Sequence, residues 1–176
     1  MSTQKSVRQQ ADTVEHNALR IEEKKAEQII DALNTDLAAT YTLYHQVKKH
    51  HWNVEGAEFH DLHIFFGDFA HELEEAADEQ AERLQALGGV PVSGMRALAE
   101  KSPVTPEDED VYTIRASLEN DIEMGGDIIE TMREHIELTT NLGDHATAHM
   151  LREQLLELEE YVHHVEHYLE DDTLVQ

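Results

Sequence analysis

Between His50 and His63 the chain reads HHWNVEGAEFHDLH, which sets four imidazoles and the single tryptophan around one glycine turn. Imidazole is a borderline ligand for zinc, copper and iron, and it is also a proton carrier. Fifteen residues beyond His63 comes Asp78, followed four residues later by Glu82, so these two share one face of any helix that carries them. His51, His63, Asp78 and Glu82 together supply two imidazoles and two carboxylates, a donor set suited to iron or zinc that leaves positions open for an oxidant. The sequence has no cysteine, which excludes disulfides and thiolate sites and leaves imidazole and carboxylate to hold any transition metal.

Four apolar stripes must position these groups. Ile29, Ile30, Leu33, Leu37, Tyr41, Tyr44 and Val47 recur at three and four and predict a first helix reaching to about His51. After a turn at NVEG, a second stripe runs from Phe59 through Leu62, Phe65, Phe66, Phe69, Leu73 and Ala77 to Leu84, and stops at Gly88 and Gly89. Thr105, Pro106 and the acids after them predict the start of a third helix, with Val111, Ile114, Leu118, Ile122, Ile129, Met132 and Ile136 on its buried face. Gly125 and Gly126 inside it weaken the helix by about 1 kcal/mol each and permit close packing. Gly143 closes that helix, and Asp144 caps a fourth, with Leu151, Leu155, Leu158, Val162, Val165 and Leu169 inward.

The proline-bearing segment between the second and third helices is too long for a hairpin and predicts a crossover. The expected fold is all-α, a ferritin-like four-helix bundle with a long crossover connection. Its boundaries are a polar, frayed N-terminal tail at 1–25, the bundle at 26–170 and an acidic C-terminal tail at 171–176.

That arrangement constrains the metal set. His63 and Asp78 lie on one predicted helix, and fifteen residues at 1.5 Å each separate them by about 22 Å. One ion cannot reach both, so a shared site needs two chains, with His51 and His63 from one and Asp78 and Glu82 from an antiparallel neighbour. A two-fold dimer makes two such sites.

HHWNVEGAEFHDLH followed by DEQAERLQALGG resembles the signature of the Dps family of miniferritins, with His51, Trp52, Gly56, Phe59, His63, Asp78, Glu82 and Arg83 at that family's spacing. The resemblance covers residues from about 27 to 169. It implies a hollow dodecamer built from two-fold dimers, which oxidises Fe(II), preferably with hydrogen peroxide, at inter-subunit sites and stores ferric oxide inside. By the same resemblance His51 and His63 bind iron from one subunit, Asp78 and Glu82 bind it from the other, and Trp52 intercepts stray oxidising equivalents. Where the family pattern has an aspartate four residues after His63, this chain has Gly67, and Asp68 points about 100° away. Glu55 is the candidate replacement, against its reading as a solvated loop carboxylate. Asp68, Glu72, Glu75 and Glu79 form a ladder on one helix face. With the resemblance, Glu72, Glu75 and Glu79 become candidates for seeding mineral, against an ordinary acidic surface.

The charge limits partners. Thirty-eight acidic against 13 basic residues give a formal −25, which repels DNA phosphates and anionic lipid and suits the cytoplasm of an extreme halophile. The tail offers only Lys5, Arg8 and Arg20 for counterion release, so DNA binding is not expected. No signal peptide or membrane span is apparent, and a cytoplasmic location is expected. His163, His164 and His167 include an i, i+4 pair able to bind metal, and His145 and His149 with Glu137 and Asp144 are candidates for an ion entry pore.

Three alternatives stand beside this reading. An intrasubunit di-iron protein of the larger ferritin or bacterioferritin type would use EYVH (Glu160 to His163) and DFAH (Asp68 to His71) with acids such as Asp31, Asp36, Glu119 and Glu123. It leaves the His51 to Glu82 constellation unexplained. The others are a DNA-binding protective protein, and a plain bundle whose histidines satisfy core hydrogen bonds.

Overall fold

The apolar spacing is realised in α1 (Glu23–Asn53), α2 (Phe59–Ala86), a short α3 (Met95–Lys101), α4 (Ile114–Leu142) and α5 (His145–Tyr168). The structure is a computed structural model that describes residues 6–170; the first five residues and the acidic tail at 171–176 lie outside the described residues. Ile29, Leu33, Leu43 and Val47 of α1 meet Leu62, Phe66 and Leu84 of α2, Leu118, Ile128 and Met132 of α4, and Leu151, Leu158 and Val165 of α5 in one core. Each large apolar side chain buried there contributes roughly 1.5–3 kcal/mol. α1 pairs with α2, α4 pairs with α5, and the two hairpins meet mainly through α1 and α4. This is the expected all-α bundle, and no helix among the described residues is long and apolar enough to cross a membrane.

The crossover climbs along α1. Gly89 lies against Ile30, the Val92 N–H donates to Asn34 Oδ1 at 2.8 Å, Thr42 Oγ1 donates to Ser102 Oγ at 3.0 Å, and the Glu107 N–H donates to Gln46 Oε1 at 3.1 Å. By Glu107 the chain has reached the end where α1 finishes, so α4 must return antiparallel to α1. α3 was not foreshadowed, since Leu98 is its one buried residue.

The start of α4 corrects the expectation at Thr105. The helix begins at Ile114 with Thr113 as its cap, the Thr113 side chain accepting from the Ala116 N–H. Glu107 is held across α1 and α4 by Lys49, His50 and Asn120, and those bonds take the segment past the local helix signal. Val111, expected on the buried face, is 64% exposed. The other terminus agrees with expectation: Gly143 adopts a left-handed φ of 86°, and the Asp144 side chain accepts from the Thr147 N–H at 3.1 Å.

Gly125 permits the close packing expected of it, because a Cβ there would lie 2.6 Å from Val162 Cγ2; Gly126 has nothing within 4 Å of such an atom. The N-terminal segment, expected to be frayed, is not helical before Glu23 but is tied down from Gln9 onward. Both Gln9 Nε2 and the Glu15 N–H donate to Gly88 O at 2.9 Å. Gly88 suits that role with a φ of 94° and with Glu15 O at 2.2 Å from where a Cβ would stand.

Two charged pairs set the register of α1 on α4. His50 Nδ1 donates to Asp121 Oδ2 at 3.0 Å, and His135 Nδ1 donates to Asp36 Oδ1 at 2.7 Å. Burial pushes the Asp36 carboxyl up, only partly opposed by His135. His135 is also buried enough to disfavour its charge, yet the hydrogen bond and charge of Asp36 hold its pKa above the ordinary value.

Two outcomes follow. Gly126→Ala is expected to stabilise by up to about 1 kcal/mol through helix propensity, while Gly125→Ala gains nothing because Val162 must move; thermal unfolding at fixed protomer concentration distinguishes them. A histidine with a raised native pKa stabilises fully below its unfolded pKa, about 6.5, and that contribution is lost as pH rises through the native value. His135→Gln keeps a donor for Asp36 but has no proton to lose, so its thermal stability should decline less than that of wild type above pH 6.5. Parallel declines would show that the pair does not titrate with folding.

Candidate metal centre

His51 sits in the last turn of α1 and His63 near the start of α2, and the turn between them folds the two helix ends together. Their rings stack at 3.9 Å between centroids and 19° between planes. His51 Nδ1 donates to His63 O at 2.7 Å, and His63 Nδ1 donates to His51 O at 2.9 Å. A carbonyl oxygen only accepts, so each ring must carry its proton on Nδ1. Each Nε2 lone pair is thereby left for a metal, the orientation that ligating histidines adopt when a backbone carbonyl fixes the tautomer.

Phe59, expected in the core stripe, is 45% exposed and stacks on His63 at 5.1 Å. Gly67 gives the other side of this arrangement its room. A Cβ there would stand 3.1 Å from His51 Cε1 and 3.2 Å from Nδ1, tighter than ordinary contact. The missing aspartate is therefore coupled to how closely His51 lies on α2.

Asp78 and Glu82 are exposed on the far part of α2, about 22 Å of helix rise from His63. Among the described residues of one chain, no three His, Asp or Glu side chains are placed to hold a metal. The chain thus carries two separated half-sets. Arg83, beside Glu82, is fixed by Nη2 donating to Asp144 Oδ1 at 2.7 Å and Nε donating to Thr147 Oγ1 at 2.8 Å, which ties the end of α2 to the start of α5.

The remaining candidates fall in several places. Glu55 lines a cavity of about 390 Å³ with Lys49, His50, Phe66 and Tyr112, and no described contact joins it to His51 or His63. Glu72, Glu75 and Glu79 line a groove of about 400 Å³ between α2 and α5. There they face Glu153 and Glu157, which the sequence reasoning missed although their four-residue spacing on a predicted helix was visible. Burial first, and then the charges of Asp68, Glu160 and Glu75, raise the Glu72 carboxyl above its usual range. Burial first, and then Glu72, Glu79, Glu153 and Glu75, do the same to Glu157.

Asp144 is buried and committed as cap and ion-pair partner, so it drops out of the expected pore grouping, while His145, His149 and Glu137 are exposed. Burial opposes its ionisation, but hydrogen bonds from Thr147 and Arg83 outweigh that and lower its pKa. The intrasubunit alternative also finds no ligand set: Asp68, His71, Glu160 and His163 are exposed, and Asp36 is occupied by His135.

A family model described as a ferritin-like domain matches residues 30–175. The DNA protection during starvation protein of Halobacterium salinarum is 64% identical over 176 residues, covering 99% of this chain and 97% of that protein. The crystal structure of an archaeal Dps homologue from Halobacterium salinarum, also 64% identical, superposes with a TM-score of 0.94 over 99% of this chain and 98% of the other. DpsC from Streptomyces coelicolor, 30% identical, gives the same TM-score over 97% and 100%.

The chain belongs to the Dps family of ferritin-like proteins. Its acidic composition accords with the halophilic source of the Halobacterium relative.

Within this Dps-family chain, the histidine that sequence reasoning overlooked is His50. Its rings of partners cross the bundle: Nδ1 meets Asp121 and Nε2 meets Glu107 at 2.8 Å, while Gln46 Nε2 and the Tyr161 hydroxyl both donate to Asp121 at 2.9 Å. A carboxylate on each nitrogen favours the imidazolium form of His50; burial opposes the charge, but Asp121 and Glu107 raise its pKa. The apolar spacing did not reveal this, because His50 at three and His51 at four residues after Val47 both continue the stripe.

Asp144→Ala should lower stability by about 2–3 kcal/mol, through loss of a helix cap (about 1 kcal/mol) and of the partner of a part-buried arginine. A Glu137→Ala change on the exposed surface should be nearly neutral. Equal effects in thermal unfolding would show that Asp144 is not the structural residue described.

Proposed function

We propose that this protein is an iron-oxidising and iron-storing miniferritin. The observation that carries the reading is the pair His51 and His63, each proton fixed on Nδ1 and each Nε2 left for a ligand. Asp78 and Glu82 on a partner subunit complete the set. Phe59, stacked on His63, and Trp52 and Ile64, next to the pair in sequence, are exposed in the single chain, which suits burial against that partner. The assembly is a dodecamer of such two-fold dimers, acting in the cytoplasm.

Iron is the substrate. Two ferrous ions give one electron each to one hydrogen peroxide, and with water the products are ferric oxyhydroxide and protons, so no hydroxyl radical is released. Imidazole and carboxylate hold Fe(II) and leave positions for the oxidant, and Trp52 beside the centre takes up stray oxidising equivalents. Gly67 removes one carboxylate, so the second iron of each centre is held more weakly. The acidic groove formed by Glu72, Glu75 and Glu79 with Glu153 and Glu157 faces the interior and collects ferric ions, its carboxylates seeding mineral. DNA is protected by consuming Fe(II) and peroxide and not by coating, since the −25 charge leaves few cations for phosphate.

Anaerobic loading with Fe(II) in high salt, followed by titration with peroxide, should leave many ferric ions co-eluting with protein at the mass of the assembly. Ferric precipitate free of protein would overturn the reading. His51→Ala and Glu82→Gln should each abolish rapid oxidation. Co-expressed together, they should restore about a quarter of the centres, because half of randomly paired dimers are mixed and each mixed dimer keeps one intact site. No restoration would defeat the inter-subunit arrangement.

A further inference from the structure

The last turns of α5 hold a second imidazole pair that the iron half-site does not use. His163 and His167 stand one helical turn apart on the exposed face, with ring centroids 4.3 Å apart and planes at 75°. Their Nε2 atoms are 3.2 Å apart. Two imidazoles on one zinc ion at about 2.0–2.1 Å, subtending a near-tetrahedral angle, place their nitrogens about 3.3 Å apart. The nitrogen separation therefore matches that of a chelate, and with the centroids at 4.3 Å a small rotation of these exposed rings turns both lone pairs onto one ion.

On the other edge of His163, Nδ1 faces Glu166 Oε2 at 4.0 Å. At that distance the carboxylate makes no direct hydrogen bond, but its charge favours a cation bound beside the ring. The α5 carbonyl ends and the formal −25 charge both favour a cation there. With no third protein ligand among the described residues, water fills the remaining positions.

We propose that His163 and His167 form a surface chelate for late first-row divalent cations, Cu(II) above Zn(II) and Ni(II), separate from the His51 and His63 centre. Imidazole suits these ions, and their affinity order for a given nitrogen site places copper first. The same 3.2 Å approach also fits a hydrogen bond between one protonated and one bare nitrogen, a purely structural contact, and the test distinguishes the two.

The test uses the assembled, metal-free protein carrying His51→Ala and His63→Ala, which silences the iron half-site, titrated with Cu(II) and followed by electron paramagnetic resonance. One copper per chain with two nitrogen ligands is expected. Replacing His163 or His167 by Gln in that background should weaken binding roughly tenfold or more through loss of chelation and leave a single-nitrogen signal. Full-strength two-nitrogen binding after either replacement would overturn the proposal, as would copper binding at no defined stoichiometry in the parent. Circular dichroism and elution volume, unchanged for exposed positions, confirm that each variant remains folded and assembled.

Discussion

His50, held between Asp121 and Glu107, is the interaction on which the placement of His51 and His63, the proposed metal ligands, depends. Both nitrogens donate to carboxylates, so the side chain cannot rotate without leaving a buried charge unpaired, a loss of several kcal/mol. This fixes the rotational phase of the last turn of α1. The next residue, turned by about 100°, is His51, which is thereby aimed at α2 and stacked on His63. The same network fastens Glu107 at the top of the crossover and Tyr161 on α5, and Tyr161 in turn stacks on Phe69 at 3.6 Å. A salt bridge inside a core is weak evidence for net stability. Its contribution here is register, for which a second pair, Asp36 with His135, supplies an independent point along α1 and α4.

With that phase set, the length of α2 decides the rest. His63 is near its start and Glu82 near its end, on one continuous helix, so the histidine half-set and the carboxylate half-set stay apart in any folded monomer. The end carrying Asp78 and Glu82 is secured as firmly as the other, by Arg83 bridging to Asp144 and Thr147. Both halves thus project from rigid supports, which favours assembly from preformed surfaces over closure of a mobile loop.

The four long helices were legible because their information is local and repeated: a three-and-four stripe, a glycine at left-handed φ, and an aspartate three residues before the N–H it caps. The start of α4 was not, because Thr105 and Pro106 carry a sound local signal that loses to bonds made by Glu107 with α1 and α4. Adjacent histidines posed the same problem in miniature. Neither residue type nor apolar phase says which of His50 and His51 turns inward, since both follow Val47 at helical spacing; the partners that decide it, Asp121 and Glu107, lie far along the chain. The N-terminal segment looked unstructured for its lack of period, yet two hydrogen bonds to Gly88 O dock it.

The groove between α2 and α5 carries the electrostatic side of the proposed function. Glu72 and Glu157 resist ionisation, first because the groove partly desolvates them and then because carboxylates surround them. In the metal-free state this repulsion opposes folding, and salt eases it. A multiply charged ferric ion reverses the sign of the local field, so each neighbour that raised a carboxyl pKa becomes a further source of attraction. The groove is therefore least comfortable empty and gains most when cations arrive. That is the physical condition for a mineral to begin on this face and not on the more dispersed, better solvated carboxylates elsewhere on the surface.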